Sequence, residues 1–211
     1  MTPRDRRLVA AWLLACAALI FAMVMVGGIT RLTESGLSIV EWQPLAGALP
    51  PLSQADWQTL FEKYRATPQF AKVFPGMDVE GFKGIFLWEY LHRLLGRVIG
   101  LVFLLPFLFF LFKRSLSKAL TWKLAGVFAL GGLQGAMGWY MVQSGLVDDP
   151  RVSHFRLTAH LGLALLIFSL EIWLALALLK PRGAAQYGKL PLLVLGLVFL
   201  MALSGGFVAG L

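Results

Sequence analysis

Cysteine is almost absent from this chain of 211 residues: Cys16 stands alone. No disulfide can form within the chain, and no cysteine-based metal centre can be built. Charge is scarce as well. Asp, Glu, Lys and Arg make up 14% of the residues against 58% hydrophobic. The apolar residues fall in long blocks rather than in alternation, which excludes an ordinary soluble domain. Gly-rich phosphate loops, nucleophile elbows and His-x-x-x-His pairs are all missing. Their absence removes the sequence basis for nucleotide binding, for serine-type hydrolysis and for a zinc site.

What is present is a set of five apolar blocks, near 8–29, 84–112, 120–142, 155–179 and 190–211. Each approaches or exceeds the roughly 20 residues needed to cross hydrocarbon. The first block follows Arg4, Arg6 and Arg7, as a signal peptide would. Its apolar core is longer than the ~7–15 residues of a signal h-region, so it reads as a retained span. The fold class is therefore all-α, a polytopic membrane protein.

Acids are also nearly missing from three short basic segments. Arg4, Arg6 and Arg7, then Lys113, Arg114, Lys118 and Lys123, then Lys180, Arg182 and Lys189 are accompanied only by Asp5. A net charge of +8 distributed this way follows the positive-inside rule and gives no reason to expect a nucleic-acid partner. The N-terminus is then cytoplasmic, and the long loop 30–83 and the short loop 143–154 lie outside.

Within the long loop, Ser53 and Asp56 have the spacing of a capping box. Trp57, Leu60, Phe61 and Tyr64 follow at helical spacing. Pro44, Pro50 and Pro51 precede this stretch, and Pro68 and Pro75 follow it. The spacing predicts a short amphipathic helix, either a folded lid over the bundle mouth or a surface anchor.

The second block carries Glu89-Tyr90-Leu91-His92-Arg93 near its outer end. On a helix Glu89, His92, Arg93 and Gly96 share one face, with Arg97 just beside it. Gly96 leaves room for a flat ligand against the backbone. One reading is an interfacial charge cluster with Glu89 paired to Arg93. The other is a functional site, because ionisable groups in a span are costly. The third block holds Gly131-xxx-Gly135, a small-xxx-small helix contact. The fourth begins with His154, followed by Arg156 and His160 on one face; His154 precedes the span, and Glu171, three turns deeper than His160, has no evident partner. His92 and His160 stand at similar depth on helices of the same direction. Two such imidazoles can ligate one metal from opposite sides, and with few other ligands nearby a haem is the natural guest. Arg31 closes the first block, where it either snorkels or faces an acidic group of a ligand.

The end of the fifth block, Ser204-Gly205-Gly206-Phe207, echoes Val26-Gly27-Gly28-Ile29 in the same direction across the membrane. The pattern restarts four spans after the first. Residues 1–180 then form a four-helix transmembrane bundle with outer loop 30–83. Residues 181–211 form a cytoplasmic loop and the first helix of an incomplete second bundle.

Four motifs give the chain a family likeness. They are Gly27-Gly28-Ile29-Thr30-Arg31-Leu32-Thr33-Glu34-Ser35-Gly36-Leu37-Ser38, Glu41-Trp42-Gln43-Pro44, Glu89-Tyr90-Leu91-His92-Arg93-Leu94-Leu95-Gly96-Arg97, and His154-Phe155-Arg156-Leu157-Thr158-Ala159-His160-Leu161. Together they resemble haem A synthase, of the bacterial and mitochondrial type without a cysteine pair in the outer loop. The resemblance implies eight spans in two pseudo-symmetric four-helix bundles, each with two haem-binding histidines. It implies oxidation of the C8 methyl of haem O to the formyl group of haem A for cytochrome oxidase.

Carried over, His92 and His160 are the axial iron ligands of the substrate haem, and Glu89 is the catalytic acid beside it. A haem b is expected in the second bundle, which this sequence lacks. The basic residues Arg31, Arg93, Arg97 and Arg156 are candidates for the haem propionates. Expected partners are haem O, the lipid of a bacterial cytoplasmic membrane, haem O synthase, cytochrome oxidase assembly factors and a second copy of the chain. A bis-histidine cytochrome that only passes electrons is the competing reading, since it needs the same two histidines.

Overall fold

The computed structural model describes residues 1–43, 46–179 and 189–210, and these form helices and loops with no strand. The long helices are α1 (Pro3–Leu32), α4 (Val79–Phe112), α5 (Lys118–Gln143), α6 (His154–Leu179) and α7 (Lys189–Ala209). Two short ones, α2 (Gln54–Arg65) and α3 (Pro68–Lys72), lie in the loop between α1 and α4. Pro44 and most of the third basic segment, with Lys180 and Arg182, fall outside the described residues.

Helix starts follow the sequence. Thr2 caps α1 by accepting from the Asp5 N–H, with Pro3 at the first helical position, and Asp78 and Ser117 cap α4 and α5 in the same way. Among the described residues four helices, Pro3–Leu32, Val79–Phe112, His154–Leu179 and Leu190–Ala209, are long and apolar enough to cross a membrane. The fifth expected span, α5, has 26 residues but is less apolar, because Gly131, Gly132, Gly135, Gly138, Gln134, Trp139 and Tyr140 dilute its aliphatic content.

Helices α1, α4, α5 and α6 close a ring: α1 packs on α4 and α6, and α5 packs on α6 and, over a smaller surface, on α4. Helices α4 and α6 are thus diagonal, and α7 lies against α6 outside the ring. The α6–α7 approach is close. A Cβ at Gly206 would meet the Thr158 hydroxyl at 3.2 Å, and one at Gly210 would overlap His154, so only small residues permit this crossing.

At one end of the bundle lies an apolar core of Val9, Trp12, Leu13, Cys16, Phe103, Phe107, Phe110, Leu124, Ile167 and Leu174. Its chemistry compensates for Pro106 inside α4. Proline has no N–H to give the carbonyl four residues before it. Trp12 Nε1 supplies the missing donor, reaching the Val102 carbonyl at 2.8 Å. The first two basic segments gather at this end: Lys113 pairs with the buried Asp5 at 2.6 Å, and Arg6 donates to the Leu178 carbonyl at the end of α6 at 2.8 Å.

The opposite end is closed by a second core, in which Phe61 and Tyr64 of α2 pack on Phe82, Phe86 and Tyr90 of α4. The expected capping box is present, with Ser53 and Asp56 bonded reciprocally. Trp57 stands edge-on to Phe86, their centroids 5.0 Å apart. The loop helix therefore packs as a lid on α4. Gln69 donates to the Glu34 carbonyl at 2.7 Å and Lys72 to the Asp148 carbonyl at 2.6 Å. These bonds fasten the lid to the start of the long loop and to the short loop between α5 and α6.

Candidate functional site

Between the two cores the bundle changes character. None of residues 21–29 of α1, 91–102 of α4, 128–144 of α5 and its end, or 159–166 of α6 is buried. A soluble-type core would fill this level with aliphatic side chains. Here it carries glycines and the two histidines, His92 on α4 and His160 on α6, on diagonal helices. The His160 ring lies within electrostatic reach of the His92 ring.

Each imidazole rests against a glycine of a neighbouring helix. A Cβ on Gly27 would stand 3.3 Å from His92 Nε2, and a Cβ on Gly138 would stand 3.0 Å from His160 Cε1. Alanine at either position would crowd the ring. Gly96, expected to make room for a ligand, has only the Met23 methyl nearby, 3.5 Å from where a Cβ would stand. Gly131 and Gly135, expected to form a helix contact, have nothing within 4 Å among the described residues. That contact is not made, because α5 turns its Gln134/Gly138 face to α6 instead. Gln134 Nε2 donates to the His160 carbonyl at 3.1 Å.

Glu89 is buried, at 2% exposure, and both its oxygens are engaged. Oε1 accepts from Arg93 Nε at 3.0 Å and from the Arg93 terminal nitrogen at 2.6 Å. Oε2 accepts from the Ser38 hydroxyl at 2.7 Å and from the Ile39 N–H at 2.8 Å. Arg93 also donates to the carbonyls of Ile39 at 2.7 Å and Glu41 at 2.9 Å. One turn deeper, Arg97 donates to the Gln43 carbonyl at 2.8 Å. Glu89, Arg93 and Arg97, spaced four apart on α4, thus hold alternate residues of the 38–43 stretch along the helix. Trp42 from the same stretch reaches Trp139 of α5, with centroids 5.7 Å apart. The loop therefore bridges α4 and α5 at the lid end of the bundle.

The remaining candidates lie at the rim. Arg31 Nε donates to the Ala209 carbonyl at the end of α7, at 2.8 Å. Arg156 donates to the Tyr140 carbonyl at 2.7 Å, with its guanidinium 3.7 Å from the Tyr140 ring centroid. His154 begins α6 and is half-buried against Phe155 and Phe207, rather than standing in water ahead of the span. Glu171 is buried near the first core with Oε2 lacking a hydrogen-bond partner.

Among the described residues no three His, Cys, Asp or Glu side chains gather as a metal site. Two imidazoles facing one level of the bundle suit a metal whose other ligands come from its own macrocycle. Another mark of fit is that His160 Nδ1 and Gln134 Oε1 are both buried without a hydrogen-bond partner, since such groups normally find one.

The COX15-CtaA family model, described as cytochrome oxidase assembly protein, matches residues 10–211. The chain belongs to that family. It is similar to the haem A synthase of Nitrosospira multiformis, 62% identical over 210 residues, 96% of this chain and 59% of the relative. The haem A synthases of Nitrosomonas eutropha and Rhodospirillum centenum are 53% and 54% identical, each over 96% of this chain and over 59% and 56% of the relative. The chain spans about three fifths of the length of these curated relatives. No solved structure matches it.

For a COX15-CtaA member, the two histidines and the Glu89–Arg93 pair were legible from spacing. Gly27 and Ser38 lie within the first family motif, but nothing in their spacing ties them to His92 or Glu89. Gly138 lies outside the motifs and gave no sign of its place. Gln134 alone carried a physical signal, as a polar side chain inside an apolar helix.

Proposed function

We propose that this chain is the substrate-binding bundle of a haem A synthase, which oxidises the C8 methyl of haem O to the formyl group of haem A. The observation that carries the reading is the His92/His160 pair on diagonal helices, at a level with no buried residue and under a folded lid.

His92 and His160 are the residues that would hold the haem iron. Oxidation of a methyl C–H bond lies beyond any side chain present, and the iron porphyrin supplies that chemistry when bound. The protein contributes position and shelter. Gly27 and Gly138 leave room for the rings to turn, and the 38–43 stretch with the lid above it keeps water from the outer side. Glu89 stands one turn from His92 and is the acid of the site. Its four hydrogen bonds make its resting role the fixing of the loop. Arg31 and Arg156 each spend one donor on a backbone carbonyl and keep others for propionates. Arg93 spends most of its donors on Glu89 and the loop carbonyls, so it serves the loop first.

The protein sits in a bacterial cytoplasmic membrane with the basic end of the bundle inside and the lid outside. A second bundle, carrying haem b, completes the whole protein. Haem O synthase, oxidase assembly factors and further copies of the chain are the partners on this reading. The test is haem extraction from cells carrying the complete gene or its His92→Ala form. Haem A is expected from the first and haem O from the second. Continued haem A from His92→Ala would overturn the proposal, and no haem A from either would favour a cytochrome that only passes electrons.

A further inference from the structure

Where His160 meets α5, two buried groups have no hydrogen-bond partner, one on the ring and one on Gln134. Gln134 and Gly138 are one turn apart on α5 and share the face on which the ring lies. Gln134 is fixed there by its bond to the His160 carbonyl at 3.1 Å. Its amide nitrogen also stands 3.5 Å from His160 Nε2. That leaves the amide oxygen and His160 Nδ1 buried and without partners. The two are chemically complementary, since an imidazole that binds a metal through one nitrogen carries a proton on the other and needs an acceptor for it. An amide oxygen is such an acceptor.

We infer that Gln134 is the positioning residue of His160, accepting a hydrogen bond from whichever ring nitrogen does not carry iron. The bond sets the ring's rotation and increases electron donation to the metal. It explains why a glutamine stands in an otherwise apolar helix and why the residue one turn on is glycine: the ring needs the space to turn.

The inference rests on His160 being an iron ligand, so the experiment tests both and tells them apart. The complete protein is loaded with iron protoporphyrin, as wild type and as the Gln134→Leu, Gln134→Glu and His160→Ala forms. The reduction potential and the ferric low-spin resonance spectrum are then read, and the signal missing from His160→Ala is assigned to this site. Gln134→Leu should raise the potential and weaken retention by ~10–100-fold, the usual cost of losing such a partner. Gln134→Glu, a stronger acceptor, should lower the potential and shift the resonance in the opposite sense. Unchanged potential and resonance in the Leu form, with the signal still lost in His160→Ala, would overturn the Gln134 role alone. A signal that survives His160→Ala would bring down the ligand reading and this inference with it.

Discussion

Ile39 donates its backbone N–H to Glu89 Oε2 at 2.8 Å, tying the long loop to the helix that carries His92. The residues are 50 apart in sequence. The bond places a loop amide where a side chain three residues before His92 can hold it, and Ser38 and Arg93 complete the clamp.

Glu89→Ala should free the loop. It leaves Arg93, which is 19% exposed at its side chain, facing no carboxylate, and strands the Ile39 N–H. Breaking a buried pair from one side costs roughly 3–5 kcal/mol. Glu89→Gln keeps an acceptor for Ile39 and should lose less. Tryptic cleavage at Lys63 and Arg65, with thermal unfolding alongside, reads the difference. Equal protection in all three forms would show that Glu89 does not hold the loop.

Gly27→Ala and Gly138→Ala should each weaken haem retention, since the new carbon would press on His92 or His160. Overpacking of this kind costs ~1–3 kcal/mol. Gly96→Ala, with only the Met23 methyl near, should leave retention unchanged. Absorbance of bound haem per purified protein makes the comparison, and an equal effect at all three positions would refute the assignment.

Trp12→Phe should destabilise the first core by about 1–3 kcal/mol, because the Val102 carbonyl loses its donor. Pro106→Ala restores an N–H four residues on, so the double variant should lose less than the sum of the two. A double-mutant cycle by thermal unfolding measures this. Additive losses would mean that the indole is not replacing the proline's missing bond.

The lid should weaken in alkali. Burial, with smaller contributions from the charges of Glu34 and Glu89, raises the Tyr64 phenol above its ordinary value of 10.0. The unfolded chain therefore gives up this proton first, and stability falls as pH rises through the unfolded value. Ultraviolet absorbance should show Tyr64 ionising only together with loss of lid structure, whereas Tyr64→Phe should abolish that step. Ionisation with the lid intact would contradict the burial argument.

Much of the fold is written locally. Cap residues, apolar blocks and the stripe from Trp57 to Tyr64 act over one or two turns, and the helices begin where those signals stand. The pairing of Glu89 with Arg93 is legible for the same reason, being fixed by helix pitch. For α5 the apolar block predicts the helix length well. Which face of it meets a neighbour is not encoded in its own pattern, and Gly131 and Gly135 are left without the contact their spacing suggests.

What the sequence determined by itself was the helices, the lid's amphipathic face and the pairing of Glu89 with Arg93. The tertiary structure alone decided that α4 and α6 stand diagonally, that each ring rests on a glycine from another helix, and that the 38–43 stretch runs along Glu89, Arg93 and Arg97. Periodicity reports what lies on one helix, whereas these relations depend on how helices far apart in the chain rotate and approach to bury their faces.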